Sequence, residues 1–478
     1  MKILYYYWVQ YDDKERRGGG VRVYLENLIQ YFSNKENIEI YTLNSGVDYS
    51  LRKGTYIEKI KEKDNVRQYR IVNSPMMAPS GCSFNQQNVF LEDISLKEIL
   101  REFLKENGPF DIIHFQVLEG LTCKVLELKE EFAETKFILS VHNYHYFCPQ
   151  VNLWKNEQEN CEDFHNGNDC ITCLPYIPPY NSILKYYILH YYLGKMNIYP
   201  DSFLFSKIKS TAQMAYRILK KLRFQKETAF TEEYHENTAF RLFRENNIRL
   251  INKYVDHIFT VSDRVKEICI NMGIEGSKVS TSYIGTKFAE NQRISLSSPI
   301  DNESLRIVYM GYMRKDKGFY FFVDALKKLN DDIAKSLEVV IAAAFRDDKI
   351  VEEIRGLRTK FKEMILFDGY THKDIPKILA KVNLGIVPVL WEDNLPQVAI
   401  ELKSMGIPVL ASSRGGASEL SKSDLFKFQA GNVDDFNKRI EMLVKNPELL
   451  NEYWNEQLIL KKVDEHIEEL NNYYLNEA

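Results

Sequence analysis

Two acids, Asp393 and Glu401, stand with seven residues between them inside the stretch WEDNLPQVAIELKSMGIPV, which runs from Trp391 to Val409. Ahead of it, Val382-Asn383-Leu384-Gly385-Ile386-Val387-Pro388-Val389 is apolar and too short for a helix, so it reads as a buried parallel strand. Pro396 suits a first helical turn. Val398, Leu402 and Met405 then recur at helical spacing until Gly406 closes the helix and Pro408 enters another strand. Asp393 therefore falls in a strand-to-helix loop and Glu401 inside the helix. In an open α/β sheet, ligands bind outside the carboxyl ends of the strands, against helix N-termini that favour phosphate. A carboxylate in such a loop repels phosphate, so its natural partners are the hydroxyl groups of a sugar or ribose. Two solvated carboxylates flanking an ordinary loop produce the same pattern.

Taken together, the strand, the acid-x7-Glu pair, the helix and the G-x-P-V strand resemble the donor-site signature of glycosyltransferase family 4. These are retaining enzymes of the GT-B fold, in which two Rossmann-like α/β domains face each other across a cleft. The family carries Glu at both ends of the pair; this chain has Asp393 at the first, with Glu392 beside it as a second acid for that role. The departure bears on donor-sugar selectivity more than on fold. The resemblance implies that Glu401 binds ribose hydroxyls and Asp393 hydroxyls of the donor sugar. It also counts Leu395, Pro396, Gln397 and Val398, at the helix start, among the nucleotide-sugar-binding residues.

A departing nucleoside diphosphate needs positive charge where its own charge grows. Leu305 to Met310 reads as a strand, followed by Gly311-Tyr312-Met313-Arg314-Lys315-Asp316-Lys317-Gly318 and a helical stripe of Phe322, Leu326 and Leu329. Lys317 and Gly318 match the family pattern. Tyr312 stands where the family has Arg, and Arg314 is the nearest replacement. Ile365 to Tyr370 is a further strand, and the resemblance makes Tyr370 the candidate for stacking on the nucleobase, with 371–374 as neighbours.

Near the N-terminus, Gly18-Gly19-Gly20 separates a first strand, Lys2 to Val9, from a helix marked by Val21, Leu25, Leu28 and Phe32. Glycines there let a backbone approach a ligand closely, and the family places such a loop near the donor phosphates and the acceptor; Gly19 and Gly20 are the candidates. Asp111 to Gln116 and Phe137 to Val141 are strands ending on His114 and His142, which brings the two loops to one rim of the sheet. His142 matches the His of the family's H-D motif, thought to lie against the donor sugar; Asn143 replaces the Asp. Either histidine can instead serve only its own loop.

Cys148, Cys161, Cys170 and Cys173 follow, the last two as C-x-x-C. Four thiolates, with His165 as a substitute, satisfy a structural zinc; free thiols or a redox couple are the alternatives. Such a zinc has no open position and takes no part in catalysis. From Pro175 to about Asn247 the pattern changes. Tyr176, Tyr180, Tyr186, Tyr187, Tyr191 and Tyr192 crowd together, and 207–226 holds seven basic residues and no acid. Ile208, Ala212, Ala215, Leu219 and Leu222 line one helical face. An aromatic helix followed by a basic amphipathic one suits an anionic membrane surface, reached through about 176–226, where a lipid-linked acceptor is found; packing on the helices' own domain is the alternative.

The 478 residues exceed what one core supports. With 63 basic and 67 acidic residues, nothing pulls the chain toward nucleic acid. No apolar run reaches the roughly twenty residues of a membrane span, and Met1 to Val9 lacks the marks of a secretion signal. The expectation is a cytoplasmic protein, at the inner face of a membrane if the aromatic and basic region binds lipid. Its expected domains are an N-terminal acceptor-side domain, 1–293, carrying an insertion at about 148–247 and completed by about 453–478, and a donor domain, 304–452. As the resemblance implies, it is a retaining hexosyltransferase of bacterial polysaccharide or glycoconjugate type. It moves sugar from a nucleotide-diphosphate sugar to a glycan or lipid-linked acceptor and requires no cofactor for catalysis. A GT-B nucleotide-sugar hydrolase or epimerase, or a noncatalytic partner subunit, are the rival readings.

Overall fold

Continuous apolar runs become strands buried on both faces, which is the signature of parallel sheets covered by crossover helices. In β1 (Lys2–Tyr6), Ile3, Leu4, Tyr5 and Tyr6 are all fully buried. The computed structural model describes residues 1–174, 176–200, 202–205, 237–287, 304–371 and 373–475. The basic amphipathic face expected from Ile208 to Leu222 and the stretch 295–303 between the two expected domains lie outside the described residues, as does His372 within the expected base-binding stretch 371–374.

The first sheet is built from β1, β2 (Glu39–Asp48), β3 (Tyr56–Lys63), β4 (Val66–Val72), β5 (Ile112–Phe115), β6 (Lys136–Val141), β9 (His257–Thr260) and β10 (Val279–Thr281). Their order is β10-β9-β6-β5-β1-β2-β4-β3. β1 pairs in parallel with β2 on one side, Ile3 against Ile40, and with β5 on the other, Ile3 against Ile112. The chain thus winds outward in one direction from β1 and then returns to fill the other. β3 departs from the sequence expectation. Its sequence YIEKIKEK carries too many charges to read as a core strand, yet it pairs antiparallel with β4 at the sheet edge. Charged side chains there discourage further strand addition.

β7 (Trp154–Lys155) and β8 (Glu159–Asn160) form a separate two-stranded ladder. The second main sheet comprises β11 (Leu305–Gly311), β12 (Leu337–Ala343), β13 (Glu363–Asp368), β14 (Leu384–Val387), β15 (Val409–Ser412) and β16 (Lys427–Phe428), in the order β13-β12-β11-β14-β15-β16. All five pairings are parallel. Strand order reverses between β11 and β14 while every strand keeps the same direction, which makes this the Rossmann switch point, where a crevice opens at the carboxyl ends of the strands. Near the end of the described chain, 3-10 turns over Pro447–Trp454 give way to a helix at Val463–Leu475. His466 of that helix meets the Ser282 hydroxyl at 3.2 Å.

Contacts divide the chain into two compact units. One is Met1–Val151, Asp163–Ile258 and Met272–Lys278; the other is Asn152–Glu162, Phe259–Asn271 and Val279–Ala478. Among the described residues no helix is long and apolar enough to cross a membrane.

The core of the second unit contains one unusual group. Lys403, on the helix Gln397–Ser404, is fully buried. Its ammonium donates to the Gln457 side-chain oxygen and lies 5.2 Å and 4.8 Å from the ring centres of Tyr453 and Trp454. Burial pulls its pKa down from 10.5 to about 7. Between those values the unfolded chain binds a proton that the folded chain does not, so stability rises with pH across the window. Lys403→Met should therefore raise the unfolding midpoint near neutral pH. It should also remove part of the stability gain between about pH 7 and 10.5, measured as the difference from the parent protein in denaturant titrations.

Candidate functional site

Two loops leave the switch point of the second sheet, one after β11 and one after β14, and each runs into a helix. Phe319–Lys328 follows the first and Gln397–Ser404 the second, and neither helix has a side-chain cap at its N-terminus. Uncapped first turns leave backbone N–H groups and the positive end of the helix dipole to meet an anion. Between them, Lys317 Nζ donates to Asp393 Oδ2 at 2.5 Å, bringing together two of the residues singled out from sequence. Lys317 also lies 5.1 Å from the Trp391 ring centre. The loops are tied by the Leu390 N–H, which donates to the Asp316 backbone oxygen at 2.8 Å.

Glycines make this approach possible. Gly318 has φ 71°, and a Cβ there would sit 1.7 Å from the Pro388 oxygen. Gly415, at φ 70°, would place a Cβ 2.2 Å from the Asp393 oxygen. In both cases the obstacle is backbone, which cannot rotate aside. The Gly416 N–H donates to the same Asp393 oxygen at 2.9 Å, fixing the acidic loop from behind.

The neighbouring acids have different surroundings. Glu392 is held by Arg264, at 2.8 and 3.0 Å, by Arg414 at 2.8 Å and by the Gly415 N–H at 3.1 Å. Burial pushes its carboxyl up, but the hydrogen bonds from the two guanidinium groups outweigh this and hold it below the usual glutamate range. Glu392 is thus committed to holding the loop, and Asp393 is the acid that meets Lys317. Arg314 does not join them: its guanidinium forks onto the buried Asp316 carboxylate at 2.7 and 2.9 Å. Glu401 is half-buried on its helix. Burial pushes the Tyr370 hydroxyl up to about 12, with the charges of Glu401 and Tyr312 adding to the effect, so these three share one neighbourhood. Leu395, Pro396, Gln397 and Val398 form the turn into the Gln397–Ser404 helix, with Pro396 in the capping position.

In the first unit, the carboxyl end of β5 and the loop after β6 meet. His142 Nε2 lies 2.9 Å from the Gln116 side-chain oxygen, and its ring packs 5.1 Å from Tyr24. Next to it, Asn143 donates to the buried Glu119 carboxylate at 2.7 Å, and the Ser80 N–H donates to the other oxygen at 2.8 Å. Burial raises the Glu119 pKa despite these bonds. His145 is sealed below, its Nδ1 2.8 Å from the Ser80 hydroxyl, and burial lowers it to about 3. His114 is buried against Ser140 at 2.8 Å and belongs to the core. Gly19 begins the helix Gly19–Ser33, which includes Gly20, and Gly18 caps it in the left-handed region. A Cβ on Gly19 would meet nothing within 4 Å, so the turn stands open at that point.

The expected zinc site is not assembled. Among the described residues no group of three or more His, Cys, Asp or Glu side chains could hold a metal ion. Cys170 and Cys173 sit in an apolar cluster with Phe84 and Phe240, and the His165 Nδ1 lies 2.9 Å from the Asp169 carboxylate. Sequence reasoning missed Gln116, Arg264 and Arg414. Arg414 had a visible signal, its place beside the Gly415-Gly416 turn. Arg264 had none, since 128 residues separate it from Glu392.

Residues 304–446 match the family model described as Glycosyl transferases group 1. The chain is 24% identical over 214 residues to spore coat protein SA of Bacillus subtilis (strain 168), covering 41% of this chain and 57% of that protein. The chain therefore spans little more than half the length of this relative. The whole fold is similar to sucrose-phosphate synthase (tll1590) from Thermosynechococcus elongatus, with a TM-score of 0.55, 12% identity and coverage of 99% of this chain and 98% of the other. It is also similar to Anabaena Alr3699/HepE in complex with UDP, with a TM-score of 0.51, 13% identity and 99% coverage of both chains. These likenesses identify the fold as GT-B, two Rossmann-like domains.

Gly318→Ala and Gly415→Ala should each lower stability by at least about 2 kcal/mol, because backbone strain and an unavoidable clash add. Gly431→Ala is the control: its φ is 76°, but a Cβ there would meet nothing within 4 Å, so only the cost of a left-handed residue, about 1 kcal/mol, is expected. Equilibrium unfolding of the three variants measures the contrast.

Proposed function

We propose that this protein is a retaining glycosyltransferase of family 4 type that draws sugar from a nucleotide-diphosphate sugar and passes it to a glycan or lipid-linked acceptor. The observation that carries the reading is the meeting of Lys317 and Asp393 at the switch point, between two helix N-termini without side-chain caps. A diphosphate is favoured there by the helix dipoles and by Lys317, while a carboxylate beside it requires a partner rich in hydroxyl groups. The group 1 match over 304–446 falls on this same half of the chain, and the structurally similar HepE was crystallised with UDP.

In this reading Lys317 neutralises the leaving diphosphate. Asp393, bound to Lys317 through Oδ2, turns Oδ1 to a sugar hydroxyl, and Glu401 takes the ribose. Tyr370 stacks on the base, and Arg314 serves only after exchanging Asp316 for phosphate. The turn 395–398 contributes backbone N–H groups. The sugar's C1–oxygen bond to the diphosphate breaks as the acceptor oxygen bonds C1 on the same face. The acceptor proton passes to the departing phosphate, so no protein acid is needed. His142, in the first unit, is the proposed contact for the sugar's reacting side, and Gly19 and Gly20 allow close approach of ligand to backbone. The donor domain is taken as 304–452 and the acceptor-side domain as 1–293, completed from about 453. A hexosyl donor is the expected class.

The test is binding followed by turnover. UDP should raise the melting temperature of the parent protein, since a ligand that binds only the folded state stabilises it. Lys317→Ala should weaken that binding by about 10- to 100-fold, the range for a lost charge-assisted hydrogen bond. Glu401→Ala should weaken UDP but leave inorganic pyrophosphate unaffected. Equal stabilisation by UDP in all three proteins rejects the donor site. Binding with neither transfer nor hydrolysis across a panel of nucleotide sugars and acceptors favours the noncatalytic reading.

A further inference from the structure

The helix Tyr180–Lys195 is aromatic and aliphatic on two opposite sides, an arrangement that a single packed face does not explain. Ile183, Tyr187, His190 and Tyr191 are buried within the first unit. Tyr187 donates to the Ala78 oxygen, and Tyr191 donates to Glu58. Opposite them, Lys185, Leu189, Tyr192 and Met196 are spaced by four, three and four residues, which lines them up along one exposed stripe. Met196, just past the helix, is 67% exposed.

A second element lies against this stripe. The Leu51 N–H donates to the Tyr192 hydroxyl at 3.2 Å, which sets the loop Leu51-Arg52-Lys53 beside it. Leu51 is 76% exposed, and Arg52 and Lys53 are exposed as well. The loop is held in shape: Asn73 donates to the backbone oxygens of Arg52 and Gly54, and the Arg52 guanidinium rests 4.5 Å from the Tyr56 ring centre. Neither the helix nor residues 49–57 contain an acid. Beyond the helix, Phe203 is 72% exposed while Phe205 turns in to pack 5.1 Å from the ring of His190. The surface therefore combines exposed apolar side chains of the helix and the loop with cations that have no acidic neighbour in either segment.

We propose that the stripe Lys185, Leu189, Tyr192 and Met196, with the loop Leu51-Arg52-Lys53, is a docking surface for an anionic lipid bilayer. Leucine, methionine and tyrosine enter the headgroup region, where tyrosine suits the boundary between water and hydrocarbon, and the three cations meet lipid phosphates. A protein partner is less favoured, because the positive charges are spread along the margin and not gathered at one point. The sequence after Phe205 adds seven basic residues and no acid over 207–226, the same sign of charge. The proposal is independent of the donor-site reading, since it concerns a different surface and no turnover.

The experiment is flotation of the full-length protein with vesicles of phosphatidylcholine alone, or with phosphatidylglycerol added, at low and high salt. The protein should float with the anionic vesicles only, and less at high salt. The triple variant Arg52→Gln/Lys53→Gln/Lys185→Gln and the double variant Leu189→Ser/Met196→Ser should each bind at least about tenfold more weakly. Both alter exposed side chains, so their unfolding midpoints should match the parent. Failure of the parent to float with anionic vesicles overturns the proposal. So does parent-like binding by either variant, which would seat the membrane contact elsewhere in the chain. A concentration-dependent dimer in light scattering, abolished by the double variant, would make the surface a self-interface instead.

Discussion

The ion pair between Lys317 and Asp393 sets the terms for the rest of the second unit. Asp393 has lost almost all contact with water, whereas Lys317 is about one-quarter exposed. A carboxylate in that position is costly unless a cation and hydrogen bonds offset the lost hydration. Bringing the cation within 2.5 Å requires the loops after β11 and β14 to touch backbone to backbone. Only glycine permits this at Gly318, and Gly415 likewise admits the loop after β15 against the Asp393 backbone. The parallel order around β11, β14 and β15 points their loops the same way; Gly318 lets the loop after β11 close on Pro388, and Gly415, in the loop after β15, lets that loop close on Asp393.

Charge chemistry then separates neighbouring acids. Glu392 is gripped by two arginines, whose planar donors fork onto a carboxylate and do not readily exchange. Asp393 meets a lysine, a point charge on a flexible stem. The first arrangement holds a loop in place, and the second is able to share its cation with an arriving phosphate. Arg314 and Asp316 form a third pair two residues apart, so the positive charge of the glycine loop is already partly offset before any ligand enters. The first unit repeats the topological theme with different chemistry. There the loops after β5 and β6 gather Gln116, Glu119, His142 and Asn143 into a hydrogen-bonded cluster in which burial keeps Glu119 and His145 toward their neutral forms.

The helix Tyr180–Lys195 illustrates the limit of a one-sided amphipathic rule. Its buried tyrosines find partners in Glu58 and the Ala78 oxygen, so a polar tip does not prevent a core position. The same composition on the outer side leaves a stripe that packing alone does not require. Exposure of one large apolar side chain is ordinary, but alignment of several beside a fixed cationic loop is a surface property.

The apolar runs at Lys2–Tyr6, Leu305–Gly311 and Leu384–Val387 were legible as strands, and the glycines and prolines beside them marked the loops that follow. Helical spacing after Pro396 placed Glu401, and the basic loop before Gly318 placed Lys317; these are local facts, fixed by residues within a few positions of one another. Which acid faces which cation was not local. Choosing Asp393 over Glu392 depended on Arg264, 128 residues away, taking the other acid. The four cysteines have ligand-like spacing along the chain, whereas Phe84 and Phe240, the buried apolar neighbours of Cys170 and Cys173, came from distant segments that only the fold brings up to them. Likewise, β3 was invisible because its charges follow an edge position that its partner strand creates. Sequence determined the elements and their chemistry, since periodicity and turn preferences act over short range. Tertiary structure alone assigned the partners, because ion pairs and packing are settled by distance through space.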